Sequence, residues 1–314
     1  MEYEHFGILL KELRLKHNMS REKLAENICT PKQIYRIEKG ESEPSVHLLY
    51  QLSVIFDLDL NAYYKMHFIY ITVTGLEGIR QINSALESGD MLLLESLILK
   101  YERLDEFHKS EPLQHIYYGK ALYTALLYED YNKSLTYCLK GIKIEFPTFC
   151  IDNINNRIYS NVGFTLLNCI SQNYFALGKY FTGSKILFKL QNILETYYIN
   201  SQYPIYLSTQ FIIKLYQSII YNISVHSYNN GDIYTALDYT DKGINFSLEE
   251  NFIRLLPELL SLKAKLLYKQ NQKKEAKELY NHAVHFYHIA GKDAMLIELE
   301  KEICTEFPEL MIIK

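Results

Sequence analysis

The sequence predicts an all-α chain in two parts, and three observations carry that prediction. Beyond about Gly75 no segment shows convincing apolar–polar alternation, whereas apolar residues at helical spacing recur almost throughout. In the first sixty-odd residues, capping residues, a proline and a glycine mark out short amphipathic helices. Further on, Gly-Asp, Gly-Lys, Asn-Gly-Asp and Pro punctuate longer helical stretches at intervals that suggest helical hairpins.

The first part is most legible in NMSREKLAENICTPKQIYRIEKGESEPSVHLLYQLSVIFDLD, Asn18 to Asp59. Ser20 suits the N-cap of a helix expected to run to about Cys29, with Leu24, Ala25 and Ile28 on one face. Thr30 opens the next helix. Pro31 sits at its first position, where a missing N–H costs nothing, and Gln33 stands at capping-box spacing. Gly40, just past Lys39, is a natural stop. Pro44-Ser45 then start a helix whose Leu48, Leu49, Leu52, Ile55 and Phe56 recur at helical spacing.

In the middle helix Ile34 and Ile37 face inward, which leaves Lys32, Gln33 and Arg36 on the outer face. Long side chains with several hydrogen-bond donors suit a DNA major groove: Arg chelates guanine O6 and N7, and Gln pairs with adenine N6 and N7. From Lys11 to Lys39 eight Lys/Arg face four Glu, whereas the whole chain carries a net charge of −4. The basic footprint is confined to this end, so binding should depend on a specific site rather than on bulk charge.

Phe6 to Tyr64 resembles a helix-turn-helix of the Xre/Cro type, with RIEKG at Arg36–Gly40 matching that family's R-I-E-x-G ending. The resemblance implies that the second helix of the motif enters the major groove of double-stranded operator DNA, usually as a dimer on two half-sites. By residue matching, Pro31, Lys32, Gln33 and Arg36 face bases, and Thr30 and Tyr35 complete the DNA-facing set. Arg21 takes the place of a frequent phosphate-contacting Gln. Two positions depart from the pattern: Ile28 stands where many members have a turn glycine, and Pro31 removes one polar side chain from the reading set.

At 314 residues and 48 % hydrophobic content, the chain is long enough for two domains with a buried core. Five cysteines, at 29, 138, 150, 169 and 304, are widely spaced and form no C-x-x-C pair, which predicts buried free thiols rather than disulfides or zinc. The N-terminus has no signal-peptide character, and the longest apolar stretch, Leu255–Leu267, is broken by Glu258, Lys263 and Lys265. These features predict a cytoplasmic protein with no membrane association. The 28 tyrosines are compatible with the codon bias of an AT-rich genome and are not read as functional by number.

In the second part, LLSLKAKLLYKQNQKKEAKELYNHAVHFY (Leu259–Tyr287) carries Ala264, Ala276 and Ala283 where two antiparallel helices approach closely. The spacing resembles a tetratricopeptide repeat, with weaker copies in Leu122–Pro147, Leu167–Leu190 and Ile220–Ile244 and a fainter one near Asn83–Tyr101. Anchoring small residues fall at Ser134, Gly183, Ala236 and Ala276, spacings of 49, 53 and 40. A regular array holds about 34, so the array is a degenerate repeat superhelix. The first helix of each pair lines the concave wall of such stacks. Counting back from the anchors assigns Asn161, Thr165, Asn168, Gln172 and Phe175 to that wall, then Lys214, Ser218, Tyr221 and Tyr228, then Glu258, Ser261, Lys265 and Tyr268. Of these, Asn161, Asn168, Gln172, Phe175, Lys214, Tyr221, Lys265 and Tyr268 are the expected peptide-binding set. Amides pair with a peptide backbone, tyrosines give apolar area with a polar tip, and lysines meet a carboxylate.

His282, His285 and His288 recur three apart, and with Asp293 they raise the question of a metal; a surface or inter-helix stripe fits them better. No phosphate loop, G-x-S-x-G or HExxH is present, so no enzyme activity, cofactor or metal is expected.

A helix-turn-helix followed by about five degenerate repeats in some 300 residues resembles the RRNPP superfamily of peptide-pheromone regulators. The resemblance implies a cytoplasmic, homodimeric quorum-sensing transcription regulator that binds operator DNA and a short re-imported signalling peptide. It divides the chain into a DNA-binding domain at 1–65, a connecting helix at 66–75, and a repeat domain for peptide binding and dimerisation at 76–314. The connecting helix is expected because YYKMHFIYITV (Tyr63–Val73) has no breaker before Gly75. Two other readings of the repeats remain: a docking face for a protein partner, or a modulator of a phosphorelay protein. A groove filled by the chain's own C-terminal segment would favour partner docking.

Overall fold

The computed structural model describes residues 5–58, 60, 64, 73–156, 159–200 and 209–311. Most of them are helical, with no strand among them. The expected connecting helix over 66–75 lies outside the described residues except at its end, where α5 begins. The chain divides into two compact units, Met1–Gly119 and Lys120–Lys314.

The first unit opens with α1 (Phe6–Lys16), α2 (Arg21–Ala25), α3 (Pro31–Glu38) and α4 (Val46–Phe56). The three expected caps are made: Ser20, Thr30 and Ser45 accept from the backbone N–H groups of Lys23, Gln33 and Leu48. Gly40 ends α3 with φ at +72°, the left-handed conformation a side chain disfavours. α2 is shorter than the sequence suggested. It stops at Ala25 because Asn27 turns left-handed at φ +64°, the role the family's turn glycine was expected to play. Leu10, Leu24, Ile34, Ile37 and Leu52 are wholly buried in one core, each contributing about 1.5–3 kcal/mol by removal from water. α1 lies directly on the end of α3, since a Cβ on Gly7 would overlap the Ile37 carbonyl oxygen. The unit continues with α5 (Val73–Ser88), α6 (Met91–Tyr101), a 3₁₀ turn at Asp105–Phe107, and the first half of α7 (Ser110–Tyr128).

The second unit continues α7 into α8 (Tyr131–Glu145), with the Ser134 hydroxyl donating to the Ala121 carbonyl at 2.8 Å. After a 3₁₀ segment at Ile151–Asn156 come three helical hairpins: α9 (Asn161–Ala176) with α10 (Tyr180–Leu194), α11 (Thr209–Asn229) with α12 (Ile233–Glu249), and α13 (Leu256–Lys269) with α14 (Lys273–Ile289). α15 (Asp293–Glu306) and a 3₁₀ turn at Pro308–Leu310 follow. The hairpin turns carry left-handed Gly178, Gly231 and Asn271. The small anchors do what their spacing predicts. A Cβ on Gly183 would stand 2.8 Å from the Phe175 ring, and Ala236, Ala276 and Ala283 are fully buried. First helices of successive hairpins also touch, α9 with α11 and α11 with α13. The irregular spacing has a visible source in the long α11 and in a π-helical turn at Glu195–Ile199 between hairpins.

Candidate nucleic-acid interface and repeat face

The recognition face is seated by a buried charge cluster. The Glu38 carboxylate, at the end of α3, receives the Arg14 guanidinium of α1 at 2.5 Å and the Arg21 guanidinium of α2 at 2.7 Å. Its side chain is 1 % exposed, and Arg14 also donates to the Met19 carbonyl. Burial pushes the Glu38 carboxyl up, but the two guanidinium groups outweigh it and hold the group below its ordinary value. α3 is thus fixed at its C-terminal end by charge and at its inner face by Ile34 and Ile37.

Thr30, Pro31, Lys32, Gln33, Tyr35 and Arg36 are exposed. Arg21 is half-buried: it bonds Glu38 and lies over the Tyr35 ring at 5.2 Å. The structure therefore brings all seven expected DNA-facing residues together around α3, with Arg21 held in place by two neighbours. Arg14 and Glu38, which position the helix, were not among the sequence candidates. Their separation of 24 residues leaves no local signal.

The expected peptide-facing residues separate into two groups. On α9 and α11 the polar side chains meet across the seam. Asn222 Nδ2 donates to Asn168 Oδ1 at 3.2 Å, and His226 Nε2 lies 3.1 Å from Gln172 Oε1. Phe175 is buried, stacked face to face on the His226 imidazole and backed by Gly183. Burial lowers the His226 pKa to about 4, so this ring is neutral at pH 7. Asn161 is half-buried at the start of α9, and Lys214 and Tyr221 are half-buried on α11. Burial, followed by the nearby Glu258 and Glu302 carboxylates, raises the Tyr221 hydroxyl to about 12.

On α13 the chain's own C-terminal segment takes up the expected face. Lys265 is buried and paired with Glu302 at 2.6 Å, Tyr268 meets Phe307 edge-on, and Glu258 is buried against Lys292 at 2.5 Å. Asn222 and His226 were missed in the sequence, although their spacing of four on α11 repeats that of Asn168 and Gln172 on α9. All five cysteines are free; Cys138 and Cys169 are buried as expected, whereas Cys29 is half-buried and Cys150 and Cys304 are exposed. His282, His285 and His288 are exposed, His288 pairs with Asp293 at 2.7 Å, and no metal-holding cluster occurs among the described residues. No helix among them is long and apolar enough to cross a membrane.

Comparisons with known proteins agree with this geometry. Residues 10–62 match the helix-turn-helix family HTH_3, so the chain carries a DNA-binding domain of that type. No curated protein sequence matches the chain. Among solved structures, Bacillus thuringiensis PlcR in complex with the peptide PapR7 and DNA is 19 % identical, with 95 % of this chain and 99 % of that chain covered and a TM-score of 0.76. The Streptococcus dysgalactiae SHP pheromone receptor Rgg2 is 16 % identical over 96 % of this chain and 100 % of its own, with a TM-score of 0.60. ComR from S. thermophilus, in complex with DNA and its signalling peptide ComS, is 17 % identical over 95 % and 98 %, with a TM-score of 0.57. The chain therefore shares, nearly end to end, the fold of these helix-turn-helix proteins with helical repeats.

Proposed function

We propose that this protein is a cytoplasmic, homodimeric transcription regulator that reads operator DNA with α3 and answers to a short signalling peptide bound on its repeats. The DNA half rests on one observation above the others. A helix anchored by the buried Glu38 cluster exposes Lys32, Gln33 and Arg36 in a domain of matching family. Arg36 and Gln33 supply bidentate base contacts, Lys32 and Arg21 neutralise phosphates, and the wider acidic chain limits non-specific binding. The peptide half draws on the fold shared with structures that hold signalling peptides, and on the polar seam of α9 and α11. There Asn168, Asn222 and Gln172 have amide groups suited to a peptide backbone, with Lys214 and Tyr221 on the same helix as Asn222. A peptide biases DNA affinity only by binding one state of the repeats better than the other.

The experiment is anisotropy of labelled DNA from upstream of the protein's own gene, with and without the small-peptide fraction of spent host medium. Arg36→Ala should abolish DNA binding and leave peptide binding intact; loss of both would mean a folding defect and sink the assignment. Asn168→Ala should weaken peptide binding with DNA affinity unchanged. A second reading, docking of a protein partner, draws on the cover of the α13 face by residues 292–307. Tight DNA binding indifferent to the peptide fraction would favour it.

A further inference from the structure

The seam between α8 and α9 is tight, and it holds a buried polar trio. At one end the Glu145 carboxylate of α8 accepts from the Ser160 backbone N–H and from the Ser160 hydroxyl, both at 2.8 Å. A Cβ on Gly163 of α9 would stand only 2.5 Å from the same carboxylate. Further along, Cys138 of α8 is wholly buried, Cys169 of α9 is 7 % exposed, and Asn173, one turn beyond Cys169, is buried with them. Asn173 Nδ2 donates to the Cys138 sulfur at 3.7 Å and to the Cys169 sulfur at 3.6 Å. One amide nitrogen thus holds two thiols from neighbouring helices beside each other. Burial, and then hydrogen bonding with the Cys169 thiol, pushes the Cys138 thiol up. Sulfur is a weak acceptor, so a buried amide directed at two thiols is a costly way to fill a space that apolar side chains would fill without a polar group. The trio marks sulfur chemistry rather than packing.

We infer that Cys138 and Cys169 are a two-electron redox pair, which hydrogen peroxide joins as a disulfide that staples α8 to α9. The inference concerns the repeat unit alone and holds whether or not a peptide binds there. Cys169 is the more accessible of the two, so its thiolate attacks a peroxide oxygen. The O–O bond breaks, the departing hydroxide takes up the thiol's proton as water, and Cys169 becomes a sulfenic acid. Burial keeps the Cys138 thiol protonated until that sulfenic acid stands beside it. Cys138 then attacks the Cys169 sulfur, the S–O bond breaks, and the hydroxyl leaves with the Cys138 proton as a second water. Two thiols and one peroxide give one disulfide and two waters, and exchange with a small dithiol restores both thiols. Asn168 and Gln172, which meet α11, directly precede Cys169 and Asn173 on α9. The bond therefore fixes, from the α8 side, the helix that carries the α9–α11 seam.

The test uses the full chain with Cys29→Ser, Cys150→Ser and Cys304→Ser, which leaves this pair alone. After hydrogen peroxide under native conditions, the intact mass should fall by two hydrogens. Peptide mapping should show Cys138 joined to Cys169 within one chain, and dithiothreitol should reverse both changes. The repeat melting transition should rise by about 5–10 °C on oxidation, with the helix-turn-helix transition unmoved. Adding Cys138→Ala should abolish that rise and leave a sulfenic acid at Cys169 that dimedone traps. The mapped bond and the melting shift of the pair-bearing chain decide the matter even where Cys138→Ala fails to fold. Two thiols that survive peroxide would overturn the inference, as would sulfinic acid without a disulfide or a bond between two chains. A disulfide that leaves the repeat transition where it was would also overturn it, because such a bond staples nothing.

Discussion

The helix-turn-helix and the repeat hairpins solve the same problem, holding helices at close range, with different chemistry. In the first, α1 meets α3 backbone to backbone at Gly7, and three helices converge on one buried carboxylate, Glu38. In the second, α9 and α11 meet through neutral groups: two amides, an amide with an imidazole, and a stacked ring pair. Backbone contact and buried charge tolerate almost no displacement, because neither can be repacked or left unpaired cheaply. Neutral amides exchange partners at small cost, since each lost hydrogen bond is replaced by another. In the function proposed above, that difference sets a rigid reader of DNA against a repeat face able to rearrange.

The largest effect should come from Gly7→Ala. The added methyl meets the Ile37 carbonyl, which is backbone and cannot swing aside, so the cost should exceed about 3 kcal/mol. Loss of the helix-turn-helix melting transition, with the repeat transition kept, is the expected calorimetric result. A variant that melts like the wild type would break the claim of backbone contact. Arg14→Met should come next, at about 3 kcal/mol, because it strips the buried Glu38 of one of its two cations. Arg14→Met combined with Glu38→Gln should recover part of the loss; no recovery in that double variant would mean packing rather than charge dominates.

These two predictions involve features that sequence reasoning did not reach, while much around them was legible. Ser20, Thr30, Ser45 and Gly40 act over three or four residues, and each does in the structure what its position announced. Asn27 was overlooked because asparagine turns left-handed less reliably than glycine, so only the folded structure shows which residue ends α2. Arg14 and Glu38 pair across the fold, where no periodicity points. In the repeats the anchors Gly183, Ala236 and Ala276 were legible as small residues at hairpin contacts. The face register was less so: counting from an anchor puts Phe175 and Lys265 on the right helices, yet α10 and His226 bury the first and α15 the second. Burial by a neighbouring hairpin is a property of stacking, which a single repeat's sequence does not encode.

Gly183→Ala should sharpen the contrast with Gly7. Here the neighbour is the Phe175 ring, at 2.8 Å from the added carbon, and a ring that also stacks on His226 has limited room to move. The expected cost is about 1–3 kcal/mol, confined to the repeat unit. Because the same shift disturbs the α9–α11 seam, the peptide affinity proposed for that seam should fall as well. Unchanged stability would show that this seam has more slack than its contacts imply.

The smallest effect separates the two regions by pH. His226 has its pKa lowered from 6.5 to about 4 by burial, so the unfolded chain binds a proton between those values and the folded chain does not. Its contribution to stability is complete above 6.5 and is lost as pH falls toward 4. Glu38 is held below its ordinary 4.5, so its contribution is complete above that value and is lost only as pH falls through the lower folded one. Between pH 6.5 and 4.5, then, this pair of groups weakens the repeats and leaves the helix-turn-helix untouched. Calorimetry at pH 7 and pH 5 should show the repeat transition moving down by a few degrees, taking roughly 2–4 °C per kcal/mol for a unit of this size. His226→Gln, which keeps an amide within reach of Gln172, should shrink that shift without altering the helix-turn-helix transition. An equal shift in the variant would locate the acid sensitivity in carboxylates elsewhere and dissociate it from the α9–α11 seam.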